Sequence, residues 1–106
     1  MEHAHIVLVE DENEISETIQ THLKAQGLNV TVFADGKKAL DFIQAGDGIE
    51  AGNIHLFIID RMLPSVDGME LCKFIRLFNP TKTTPILMLT ALSTPEQIVE
   101  GLDAGA

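Results

Sequence analysis

The run Ile54-His55-Leu56-Phe57-Ile58-Ile59 constrains the fold of this chain more than any other stretch. Its apolar side chains fall on consecutive positions, so a strand built from it is apolar on both faces. Such a strand needs cover on both sides, as a strand of a parallel sheet flanked by helices has. His5-Ile6-Val7-Leu8-Val9 and Pro85-Ile86-Leu87-Met88-Leu89-Thr90 are further runs of this kind, and Leu28 to Phe33 alternates like a partly buried strand. Amphipathic stretches separate them. Ile15, Ile19, His22 and Leu23 predict a helix over about residues 14–26, which Asn13 or Asp11 would cap and Gly27 would end. Ala39, Leu40 and Ile43 predict a second over 37–44, and Leu71, Ile75 and Phe78 a third over 68–78. A fourth follows Thr94, with Pro95 in its first turn and Ile98, Val99 and Leu102 as its stripe. Ala45 to Asn53, with its glycines and acids, reads as a loop. The order β-α-β-α-β-α-β-α predicts an α/β fold, a doubly wound parallel sheet, in one domain over residues 1–106.

Composition narrows the function. The chain has 16 acidic and 7 basic side chains, a formal net charge of −9. That argues against nucleic-acid contact and against docking on an anionic membrane, both of which need a basic face. A single cysteine excludes an intramolecular disulfide and fits a reducing compartment. No apolar run approaches the roughly 18–20 residues of a membrane span. Glu2 and His3 do not resemble the basic start of a signal peptide. A cytoplasmic domain is expected.

In a parallel sheet of this class, ligands bind at the carboxyl ends of the strands. Glu10 and Asp11 follow the first strand, Asp60 follows the third and Thr90 closes the fourth. If the first and third strands are neighbours, the three carboxylates converge. Two carboxylates about 4 Å apart repel by roughly 4 kcal/mol at a surface-like dielectric. Hard oxygen donors in a small open site suit Mg²⁺, and Mg²⁺ beside a carboxylate suits phosphoryl transfer. A hydroxyl such as that of Thr90 can then hydrogen-bond a phosphoryl oxygen. Acids also follow strands simply as turn residues, and the residues alone leave that reading open.

Four segments carry a family resemblance: Ile6-Val7-Leu8-Val9-Glu10-Asp11-Glu12, Asp60-Arg61-Met62-Leu63-Pro64-Ser65-Val66-Asp67-Gly68, Leu89-Thr90-Ala91, and Gly101 to Ala106. Along its whole length the chain resembles the receiver domain of two-component response regulators. The resemblance implies the flavodoxin-like receiver fold with strand order 2-1-3-4(-5). It implies that Asp60 is the phosphoacceptor, taking a phosphoryl group from a histidine kinase or phosphotransfer protein. It further implies that Asp11 binds Mg²⁺ directly, Glu10 mainly through water, and the Met62 backbone carbonyl as a further ligand. Thr90 would be the switch hydroxyl, and Pro64 and Gly68 would shape the loop. Met62 and Leu92 stand two residues past Asp60 and Thr90, where the family tunes hydrolysis of the acyl phosphate. Both are apolar, so a longer-lived phosphoryl state is expected.

The family pattern continues with a fifth strand, a following lysine, an aromatic switch residue and a fifth helix, none of which is present here. The chain is therefore expected to be part of a longer one, or else to cover its apolar fourth strand as a homodimer or by exchanging segments. Output would come from another domain or protein. Two other functions compete with the signalling switch, which is not itself an enzyme. One is a pseudo-receiver that binds partners without phosphorylation. The other is a Mg²⁺-dependent phosphohydrolase with an aspartyl nucleophile, against which Met62 counts, because such enzymes place a second acid there. The four histidines share no ligand spacing, and His5 and His55 read as strand residues. Cys72 reads as a packed small hydrophobe, Lys37-Lys38 as a solvated pair, and Asp67 as a turn residue.

Overall fold

The computed structural model describes residues 4–45, 53–61, 63 and 66–89. Within them the chain runs β1 (His5–Val9), α1 (Asn13–Ala25), β2 (Asn29–Phe33), α2 (Gly36–Ala45), β3 (Leu56–Asp60), α3 (Gly68–Leu77) and β4 (Ile86–Leu89), with a 3₁₀ turn at Asn79–Thr81 before β4. The helix after Thr94 and the glycine-bearing loop around residues 46–52 lie outside the described residues.

All strand pairs are parallel, in the order β2-β1-β3-β4. The period-two side-chain alternation of the strands divides the apolar residues between two cores. Val7 and Val9 of β1 and Phe57 and Ile59 of β3 pack with Ala39 and Ile43 of α2 and Leu71 and Ile75 of α3. Ile6, Leu8 and Ile58 face the other way and pack with Ile19 and Leu23 of α1. Helices on both faces are why β1 and β3 read as unbroken apolar runs. β2, at the sheet edge, is only partly buried, which is why its sequence alternates.

The helix ends follow local chemistry, with one correction. Glu12, not Asn13 or Asp11, occupies the N-cap of α1, and no side chain caps it. Within this turn Glu10 Oε2 accepts from the Glu12 N–H at 3.0 Å. At the other end of α1 the Gly27 N–H donates to Lys24 O at 3.0 Å and the Leu28 N–H to Leu23 O at 3.2 Å. This 6→1 and 5→2 pairing needs a left-handed residue, and Gly27 has φ +82°. Asp67 caps α3 by accepting from the Met69 N–H at 3.2 Å, so it is a helix cap as well as a turn residue. Arg76 of α3 donates to Thr84 O at 2.7 Å and Lys82 O at 3.2 Å. The buried Thr81 hydroxyl donates to Ile75 O at 2.8 Å. These bonds fix the connection that delivers β4 into the sheet.

Candidate functional site at the carboxyl edge of the sheet

The pairing of β1 with β3 sets the site. Val9 lies opposite Ile59, so the next residue on each strand, Glu10 and Asp60, meets at the same edge. Glu10 keeps the strand path, its N–H donating to Phe33 O of β2 at 2.9 Å. That path carries the side chain inward, and Glu10 is only 3% exposed. Asp11 turns away from the sheet and is exposed, while Asp60 is half-buried. Ligand oxygens of Glu10, Asp11 and Asp60 lie within 4.8 Å of one another. The convergence expected from the strand ends is thus present.

Such a cluster is electrostatically costly, and Glu10 carries the cost. Burial pushes its carboxyl up to about 8, with the charge of Asp60 and contacts to the Asp60 and Asp11 carboxyls adding to the rise. The Glu12 N–H opposes the shift without cancelling it. The direction of this shift favours the protonated form of Glu10 when no cation is present. Three oxygen donors, one exposed, one half-buried and one buried with an exchangeable proton, fit a hard divalent ion.

The loop leaving Asp60 is closed at its base. The Arg61 N–H donates to Leu89 O at 3.2 Å, and Arg61 O accepts from the Gly68 N–H at 3.1 Å. A Cβ at Gly68 would stand 2.2 Å from Asp60 O and 2.8 Å from Arg61 Cα. Only glycine lets α3 begin directly against the residue that carries the carboxylate. Met62, Pro64, Ser65 and Thr90 lie outside the described residues. The expected Met62 carbonyl ligand and Thr90 hydroxyl are thus not placed here. The described part of the site consists of Glu10, Asp11 and Asp60 with the flanks of the loop.

The opposite edge of the sheet is organised by histidine. The His5 N–H donates to His55 Nδ1 at 3.0 Å, and His5 Nε2 lies 2.6 Å from Thr31 Oγ1. His55 precedes β3 rather than lying in it. His5 and His55 lie fifty positions apart in the chain, and no spacing signal could have joined them. Cys72 is partly buried against the α2–α3 core, and burial pushes its thiol up, as a packed small hydrophobe requires.

A parallel sheet in the order 2-1-3-4, helices on both faces and an acid triad at its carboxyl edge together define the receiver class of α/β protein. The family model for the response regulator receiver domain matches residues 6–106, and the chain belongs to that family. It is 39% identical over 105 residues to the alkaline phosphatase synthesis transcriptional regulatory protein SphR of Synechococcus elongatus, covering 95% of this chain and 40% of that protein. It is 40% identical over 101 residues to the response regulator RppA of Synechocystis, covering 95% of this chain and 41% of that one. This chain thus spans about 40% of the length of these curated relatives. Among solved structures, the chemotaxis response regulator CheY4 of Vibrio cholerae superimposes with a TM-score of 0.73 at 33% identity, covering 97% of this chain and 81% of that one. No helix among the described residues is long and apolar enough to cross a membrane.

Proposed function

We propose that this receiver domain is a phosphoryl-accepting switch with Asp60 as the acceptor. The reading rests on the meeting of Glu10, Asp11 and Asp60 at the carboxyl edge, within 4.8 Å of one another. The donor is a phosphohistidine on a histidine kinase or phosphotransfer protein. A carboxylate oxygen of Asp60 attacks phosphorus. The new O–P bond forms as the P–N bond breaks, and the departing imidazole nitrogen takes up a proton from solvent. Asp60 ends as an acyl phosphate. A divalent ion such as Mg²⁺, when held by Glu10, Asp11, Asp60 and the Met62 carbonyl, would neutralise charge on the phosphoryl oxygens.

The remaining work belongs to the chain itself. The β1–β3 pairing holds Glu10 and Asp11 beside the acceptor, and the Gly68 contact fixes the backbone of Asp60. Thr90, next in the chain after β4, supplies a hydroxyl to the phosphoryl group. Leu89, the residue before Thr90, pairs with Asp60, which supports that role. Phosphorylation adds roughly one negative charge at Asp60, enough to bias a two-state surface. The domain would be altered by the reaction rather than turn substrate over.

Intact mass before and after acetyl phosphate with Mg²⁺ tests the reading. The expected result is a gain of one phosphoryl mass that disappears in Asp60→Asn. No gain in the full-length protein, with partner binding unchanged in Asp60→Asn, would favour a phosphorylation-independent binding module. Release of phosphate from added phosphoesters at a sustained rate would point to a phosphohydrolase.

A further inference from the structure

We propose that Gly36, on a different element from the acids, is a positioning residue for the phosphoryl-accepting site and acts through the backbone of Val66. The proposal rests on the reading that Asp60 is the acceptor. Gly36 opens α2 and is buried. A Cβ built on it would stand 2.3 Å from Val66 O, 3.0 Å from Val66 Cβ and 3.2 Å from Val66 C. The nearest of these atoms is a peptide oxygen, which has no flexible tip to swing aside. The gap is more than about 1 Å short of ordinary non-bonded contact, so any side chain at position 36 forces α2 and the loop apart.

α2 is the partner that cannot yield. Ala39 and Ile43 are 0% and 1% exposed in the core, and the Phe42 ring packs on Phe33 with centroids 5.0 Å apart. The first turn is fixed as well, with the Lys37 N–H donating to Asp35 Oδ1 at 2.7 Å. The displacement therefore falls on the loop. That loop leaves the sheet at Asp60 and returns at Gly68, where the Gly68 N–H holds Arg61 O. Its base is locked to β3 and its return limb rests on Gly36. A Cβ at position 36 would displace Val66, two residues before Gly68, whose own backbone stands directly against Asp60 O. A misplacement on the order of 1 Å in such a support can cost about 100-fold in rate.

The test compares Gly36→Ala with Gly27→Ala in the full-length protein. Gly27, with φ +82° and nothing within 4 Å of a built Cβ, lies at the end of α1 opposite the acids, so its alanine variant strains the backbone without touching the loop. Both variants should lose melting temperature. At a temperature where both are folded, Gly36→Ala should be labelled by acetyl phosphate and Mg²⁺ at least about tenfold more slowly than wild type, and Gly27→Ala within about twofold of it. A wild-type labelling rate in Gly36→Ala, or equal slowing in both variants, would overturn the proposal.

Selective ¹⁵N-glycine labelling gives a second measurement that needs no substitution. Mg²⁺ and acetyl phosphate should move the Gly36 and Gly68 amide resonances and leave Gly27 in place. A stationary Gly36 overturns the proposal even if Gly36→Ala does not fold. If wild type takes no label, the acceptor assignment fails on its own. The positioning role is then decided by whether Gly36→Ala shifts the Gly68 amide in the absence of any ligand, and an unmoved Gly68 overturns it.

Discussion

The two edges of the sheet are made by the same strands and treat their polar groups in opposite ways. At the amino edge the His5 N–H donates to His55, the His5 ring pairs with Thr31, and the His55 N–H donates back to His5 O at 2.8 Å. β1, β2 and the residue leading into β3 are laced together, and the polar groups satisfy one another. At the carboxyl edge the neighbours are like-charged. Glu10 is buried beside Asp60 and Asp11, and its carboxyl is pushed up to about 8 as a result. An edge whose groups complete each other serves folding. An edge whose groups repel needs a partner from outside, and functional sites are where such shifts gather.

This contrast can be broken most sharply with metal. Asp11→Asn and Glu10→Gln should each weaken Mg²⁺ binding by at least about tenfold, because each replaces a carboxylate that a bound hard cation would hold ionised with a neutral amide. His5→Gln and His55→Gln should leave it unchanged. Titration followed by amide shifts or calorimetry decides. Equal losses at the two edges would mean that the acid cluster is not where the ion binds.

The next effect is the pH dependence of stability without metal. Glu10 has a folded value of about 8 against 4.5 for the ordinary carboxyl. Between these values the folded chain holds more protons than the unfolded one. Stability contributed by the protonated group is full below about 4.5 and is lost as pH rises toward 8. Denaturant melts across this range should show that decline, Glu10→Gln should flatten it, and saturating Mg²⁺ should flatten it in wild type. A metal-free wild type as stable at pH 8 as at pH 5 would contradict the cost assigned to the cluster.

The smallest effect belongs to the amino edge and has the opposite sign. Burial, followed by the proximity of His55, holds the His5 ring below its ordinary 6.5. The unfolded chain then binds the extra proton more readily, so stability is present above about 6.5 and is lost as pH falls through the lower folded value. His5→Gln keeps a side-chain partner for Thr31 and should remove that acid-side loss. Thr31→Val should cost about 1 kcal/mol at neutral pH, the size of one hydrogen bond. Chemical denaturation at several pH values distinguishes the two. An acid-side loss that persists in His5→Gln would assign it to another group.

Much of this architecture was legible because its signals are local. The unbroken apolar runs of β1 and β3 could only belong to strands covered twice, and the cores on their two faces bear that out. Gly27 ended its helix where expected, because a left-handed turn there tolerates little else. The cap of α1 was misplaced because Glu10, whose side chain occupies the Glu12 N–H, competes for the backbone of the same turn. The histidine lacing was invisible because its members meet only through the pairing of three strands. Gly36 was equally silent: nothing in the local sequence points to the Val66 carbonyl, which stands 2.3 Å from its would-be Cβ.

The sequence by itself determined the layered α/β class, the alternation of strands and helices, and the three carboxylates at strand ends, because hydrophobic period and turn chemistry are written residue by residue. The strand order that puts β1 beside β3 was implied by the family resemblance, and the sheet has it; the tertiary structure alone decided that Glu10 turns inward while Asp11 turns out, and that the start of α2 stands against Val66. Those outcomes depend on the register between distant segments and on close packing of backbone against backbone, and neither leaves a mark in the local order of residues.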